Sequence, residues 1–129
     1  MGQGVGVGSI MWLALSDGWL RIVSHRYYPE MLLVCARRSK HITELFPDTE
    51  VYSDSSADYP YRANINREEV GNVIHNYTVS IDYDKYKPSI EDEDLYDSIG
   101  QVWRIMYSYG LPYRPNSTNT KLIDNTGGI

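Results

Sequence analysis

The sequence predicts an α+β fold: an antiparallel sheet from the N-terminal half with two C-terminal helices packed on it. Two observations carry this. Residues 11–65 break into short apolar or alternating runs punctuated by Gly, Pro and Asp, as strands and turns require. After Asn66 the apolar residues recur at helical spacing instead, in two stretches, the second ending on Gly110 and Pro112. The expected order is β-β-β-α-β-β-α-α, as a single domain over residues 11–110.

Residues 1–10 alternate glycine with valine and carry no charge, and they are expected to form a flexible N-terminal extension. They lack the basic segment and long apolar stretch of a signal peptide. Gly4, Gly6 and Gly8 match a phosphate-binding loop only superficially, because that fingerprint needs a strand before it and a helix after it. Trp12 to Leu15 reads as the first strand. Ser16-Asp17-Gly18 follows as a tight turn, with Gly18 expected to accept the positive φ that hairpins use. Trp19 to Ser24 alternates, placing Trp19, Arg21 and Val23 on one face and Leu20, Ile22 and Ser24 on the other.

Beyond Pro29, Met31 to Arg37 is nearly all apolar, as a central strand would be. Ser39 is expected to cap a short helix running to Phe46, which Pro47-Asp48 then stops. Glu50 to Ser53 and Asp58 to Ile65 read as strands four and five, and Pro60 assigns the latter to an edge or a bulge. Asn66 ahead of Glu68 and Glu69 is a helix start, with carboxylates favoured by the helix dipole. Val70, Val73, Ile74 and Tyr77 form its apolar stripe. A tyrosine-rich link from Asp82 to Lys87 leads to a second long helix, Ile90 to Tyr109, striped by Leu95, Ile99, Val102, Trp103 and Met106. Residues 111–129, rich in Asn, Thr, Gly and Pro, are expected to be a poorly ordered tail.

Composition narrows the function classes. A single cysteine, Cys35, excludes an intrachain disulfide and fits a reducing compartment. No apolar run approaches the roughly 20 residues that span a bilayer. The net charge of −5 argues against an open, non-specific binder of nucleic acid polymers. The aromatic residues are unusual, with 12 Tyr and 3 Trp against one Phe. Tyrosine joins a flat apolar face to a hydroxyl, so the chain favours interfaces or stacking sites.

No catalytic pattern stands out. His25, His41 and His75 have no metal-ligand spacing with Cys35, and there is no GxSxG elbow. Cys35 reads as a buried small hydrophobe and His75 as a solvated side chain. Glu91, Asp92, Glu93, Asp94 and Asp97 fit the first turns of a helix, where carboxylates complement the dipole. No cofactor is implied. The basic residues say more: Arg21, Arg26, Arg37, Arg38 and Lys40 stand against Glu30 alone between residues 21 and 40. Arginine offers a rigid fork for phosphate, and tyrosine faces stack on nucleobases. Tyr27-Tyr28, Tyr59-x-Tyr61, Tyr83-x-x-Tyr86 and Tyr107-x-Tyr109 neighbour the arginines. Such a set suits a pocket for a small anionic nucleotide, and equally a protein–protein interface.

Several segments together resemble a family of small phage-encoded proteins: MWLALSDGWLRIVSHR (11–26), MLLVCAR (31–37), ELFPDTEV (44–51), ADYPYRANINREEV (57–70), and IDYDKYKPSI (81–90) followed by VWRIM (102–106). The pattern, which spans residues 11 to about 110, is similar to the phage anti-Thoeris sponge family of the first-described Tad type. The resemblance implies a homo-oligomer, dimer or higher, in the host bacterial cytoplasm. It implies that the protein sequesters a cyclic ADP-ribose isomer without cleaving it; members of that family also capture small cyclic oligonucleotides. The candidates for ligand binding, chosen by chemistry, are Arg26, Arg62, Tyr86, Tyr96 and Arg104. Tyr96 and Arg104 are expected on one side of the last helix, about 12 Å apart along it. The competing reading is a phage protein–protein interaction inhibitor of a host defence protein.

Overall fold

The computed structural model describes residues 9–82 and 90–115. The fold is α+β, and its sheet has five antiparallel strands in the order β1-β2-β3-β5-β4. The strands are β1 (Ile10–Leu15), β2 (Gly18–Ser24), β3 (Met31–Ala36), β4 (Tyr52–Ser53) and β5 (Tyr61–Asn66). A short helix α1 (Ser39–Thr43) lies between β3 and β4, and α2 (Arg67–Val79) follows β5 directly. The chain packs as two compact units, one through Tyr83 and one from Asp84 onward. The sheet, α1 and α2 belong to the first. The expected domain of residues 11–110 runs across that division.

The pleat sorts the strands as their alternation requires. Leu15, Leu20, Ile22, Val34, Ala36, Ala63 and Ile65 bury one face of the sheet against Ile42 and Phe46, and against Val70 of α2. Val73, Ile74 and Tyr77 pack on the same core, so the stripe expected for α2 is the one used. Asn66 caps α2, its side chain accepting the Glu68 N–H at 2.8 Å.

Four local expectations are corrected. Gly18 opens β2 without a positive φ; what excludes a larger residue is His41, whose Cγ would lie 2.5 Å from an added Cβ. Ser39 is the first residue of α1 and does not cap it: the cap position is Arg38, which makes no side-chain capping bond. The helix also stops at Thr43, short of Phe46, which nevertheless reaches the core. Pro60 precedes the ladder of β5 instead of lying in it, and β4, not β5, is the edge. Proline has no N–H for a ladder, so exclusion from a strand with two partners follows.

In the second unit, α3 (Glu93–Gly110) is capped by Asp92, which accepts the Leu95 N–H at 3.1 Å. It ends at Gly110 in a 3-10 turn, Leu111–Tyr113. Ile90, Leu95 and Ile99 form a small buried cluster. Val102, Trp103 and Met106 continue the same stripe into the last turns, where they are exposed. The expected N-terminal extension lies outside the described residues up to residue 8, as does the expected tail from residue 116. Among the described residues no helix is long and apolar enough to cross a membrane.

Candidate functional site: an arginine row on the outer sheet face

The side chains pointing away from α1 and α2 form the outer face of the sheet. Register places Trp12 opposite Arg21, Arg21 opposite Cys35, Cys35 opposite Arg62, and Arg62 opposite Tyr52. One cross-strand row therefore runs over all five strands as Trp12, Arg21, Cys35, Arg62, Tyr52. Directly opposed residues share a face and lie within reach of one another. Cys35 is fully buried at the middle of the row, while Arg21 and Arg62 are half-buried and Trp12 and Tyr52 are exposed.

Cys35 is thus a buried thiol, as its apolar strand suggested, but it faces away from the main core. Burial pushes its thiol above the usual range, and the nearby guanidinium groups of Arg62 and Arg21 pull the other way. Burial prevails because a thiolate there loses more hydration than two half-solvated cations restore.

Tyr59 anchors the upper edge of this face. Its ring is buried, with Arg37 Cζ 3.9 Å from the ring centre and Arg21 Cζ 5.5 Å away. Cations over an aromatic face are attracted by its quadrupole, more so where solvent is excluded. Arg37 also donates to Asp58 at 3.0 Å, an exposed ion pair that tethers the loop before β5 to the end of β3. Beside the row, the rings of Trp12 and Trp19 meet at 6.2 Å, and the Trp19 indole N–H is buried with no hydrogen-bond partner among the described residues. Asp54, in the loop after β4, accepts from the Ser56 hydroxyl at 2.6 Å and its N–H at 3.0 Å. Those bonds lower its carboxyl pKa, and the nearby charge of Arg62 adds to the effect.

The sequence-chosen candidates fall in different places. Arg62 lies in the row. Arg26 is exposed in the β2–β3 connection beside Tyr27 and Tyr28, where His25 Nδ1 accepts both tyrosine N–H groups at 3.0 and 3.2 Å. Tyr96 and Arg104 are exposed on α3, in the second unit. Tyr86 lies outside the described residues. Tyr61, expected to flank Arg62, packs with the core instead, because neighbouring strand residues point to opposite faces. Arg21 and Tyr59 were the residues that pattern reading did not select. The alternation that put Arg21 opposite the core-facing Leu20 and Ile22 was the available signal. Its meeting with Arg62 depends on a strand 40 residues away.

Among the described residues no group of three or more His, Cys, Asp or Glu is placed to hold a metal ion. His41 is buried by α1 and accepts the Trp19 N–H through Nδ1 at 3.2 Å, a structural role. Compared with known proteins, the chain matches no family model, no curated protein and no solved structure.

Proposed function

We propose that the protein captures a small cyclic nucleotide and holds it without cleaving it, using the arginine and aromatic side chains of the outer sheet face. The observation that carries this reading is the placement of half-buried Arg21 and Arg62 on either side of Cys35, on a face flanked by Tyr52, Tyr59, Trp12 and Trp19. Guanidinium forks fit phosphate oxygens, and aromatic faces stack on bases at about 1–3 kcal/mol each. Charge-assisted hydrogen bonds add about 1.5–3 kcal/mol each. Two of each support micromolar to nanomolar affinity.

The family resemblance makes a cyclic ADP-ribose isomer the first ligand to test, and on that reading the protein would act in the cytoplasm of an infected bacterium. Titration calorimetry with that ligand, followed by heat release and chromatography of what was bound, tests the proposal. Tight binding with the ligand recovered intact is the expected result. Recovery of an altered ligand would replace capture with turnover. Silence toward cyclic ADP-ribose isomers and cyclic di- and trinucleotides alike would remove the reading.

A protein partner is favoured by a separate observation, the open side of α3. Val102, Trp103, Ile105, Met106 and Tyr109 are all exposed there, a larger apolar surface than isolated surface residues present. Under the capture reading that surface serves a homo-oligomer. Under the alternative it covers a host defence protein. Sedimentation of the purified chain separates the two, since a lone monomer points to a foreign partner.

A further inference from the structure

We propose that Arg21 and Arg62 form a single seat for two adjacent phosphoryl groups, such as a pyrophosphate, straddling Cys35. This rests on the outer face being the capture surface, and it adds Arg21 and a ligand geometry to that reading.

The argument begins with spacing. Arg21 and Arg62 occupy the strands on either side of β3, both opposite Cys35. Strands lie about 4.8 Å apart, so the two arginine Cα atoms are roughly 10 Å from one another. Between them stands one short uncharged side chain, on the same face and directly opposite both. Both forks therefore rise from the same face, with only that short side chain between them. A carboxylate at position 35 would neutralise them, and a long apolar side chain would hold them apart. A thiol does neither, because its sulfur is a weak acceptor.

The charge balance points the same way. Neither Arg21 nor Arg62 has a carboxylate within ion-pair distance among the described residues. Asp58 is engaged by Arg37, and Asp54, the acid whose carboxyl feels Arg62, is occupied by Ser56. Two half-buried cations sharing one neutral neighbour repel each other, and a dianion between them removes that repulsion. Each guanidinium carries five donors in a fixed fork, more than one thiol can accept. Tyr59 steadies Arg21 from one side, while exposed Tyr52 stands across from Arg62 with a ring free to lie against a sugar or base.

The short span between the two forks sets the ligand class. Phosphates joined through one bridging oxygen fit within the reach of both forks. Phosphates on opposite sides of a dinucleotide macrocycle do not both reach the seat, so such a ligand gains from only one.

Calorimetric titration with inorganic pyrophosphate at low salt tests the seat, comparing the wild-type chain with Arg21→Ala, Arg62→Ala, Arg21→Lys and, as a control, Arg114→Ala. Each alanine variant of the row should weaken binding about tenfold or more, and Arg114→Ala less than about twofold. Arg21→Lys keeps the charge but loses the fork; it should also weaken binding, which covers the case in which the alanine variant fails to fold. Absence of pyrophosphate binding, or equal losses in the row and control variants, would overturn the seat. A cyclic ADP-ribose isomer held equally by wild type and both alanine variants would overturn the seat and leave capture standing. Pyrophosphate binding lost in the row variants, with no cyclic nucleotide bound, would uphold the seat and remove capture.

Discussion

Tyr77, near the end of α2, is hydrogen-bonded to Ser16 at the tip of the first hairpin, 61 residues earlier in the chain. Its hydroxyl accepts the Ser16 N–H at 3.1 Å and shares a second bond with the Ser16 hydroxyl at 2.9 Å. The ring beneath it packs on the main core. One side chain thereby joins the strand that begins the sheet to the helix that covers it. Tyr77→Phe keeps the ring and removes both bonds, so it should lower unfolding free energy by about 1–2 kcal/mol in a urea titration. An unchanged midpoint would mean that water replaces the hydroxyl at no cost.

Gly18 and His41 make a tighter pair. An added Cβ at Gly18 would lie 2.5 Å from Cγ and 2.6 Å from Cβ of His41, at the root of a buried side chain that has little room to move. Gly18→Ala should destabilise the fold by about 1–3 kcal/mol, the usual range for overpacking. The same substitution at Gly71 or Gly100 meets nothing within 4 Å and lies within a helix, where alanine is the better residue. Those two variants should be neutral or stabilising in the same assay.

The cap of α2 offers a local check on the sheet-to-helix junction. Asn66 ends β5 and caps the helix at once, and Arg67 beside it donates from its backbone N–H to Glu30 O at 2.8 Å and from Nε to Pro29 O at 3.0 Å. Asn66→Ala should cost about 1 kcal/mol, and Asn66→Asp should recover most of it, since either acid or amide oxygen accepts the Glu68 N–H. Thermal melts of the three chains decide this.

The junction at Asn66 also shows what the sequence discloses and what it does not. Its cap, the alternation of β2, and the apolar spacing of α2 are local patterns, and each appears in the structure as expected. Ser39 misled because it too is a good capping residue, yet the helix begins on it and uses a backbone start without a cap. The arginine row was hidden for a different reason. Arg21, Cys35 and Arg62 are unremarkable in their own segments and come together only through the register of three strands. Tyr59 and Tyr61 look alike in the sequence, but Tyr61 opens β5 and packs on the core, whereas Tyr59 lies before the strand, beyond Pro60, and meets the arginines. Local chemistry was legible, whereas convergence required long-range pairing.

Cys35 gives the fold an alkaline dependence whose sign is fixed by its environment. Burial raises the thiol pKa in the folded chain, and the attraction of Arg62 and Arg21 does not fully offset it. The unfolded chain releases this proton near pH 8.5, and the folded chain does so at higher pH. The contribution to stability is therefore complete below that pH and declines as pH rises toward the folded value. Unfolding free energy of the wild type should fall more steeply above about pH 8.5 than that of Cys35→Ala. Parallel curves would show that the thiol titrates alike in both states.

The open stripe of α3 makes the last prediction. In its first two turns Leu95 and Ile99 are buried, while Trp103 and Met106 continue the same face with 38% and 56% of their surface exposed. Trp103 stacks on Tyr107 at 5.4 Å, and Arg114 lies 5.0 Å over the other aromatic ring of that pair, which pre-orders the surface before any partner arrives. A pre-ordered aromatic patch loses little side-chain entropy on association and is the kind of surface that anchors an interface. If copies of this chain associate through it, Trp103→Ala with Met106→Ser should shift sedimentation toward the monomer. Helix content should be unchanged, because both side chains are half-exposed and neither caps nor terminates α3. Unchanged association would move the contact to another surface and leave the stripe for a foreign protein.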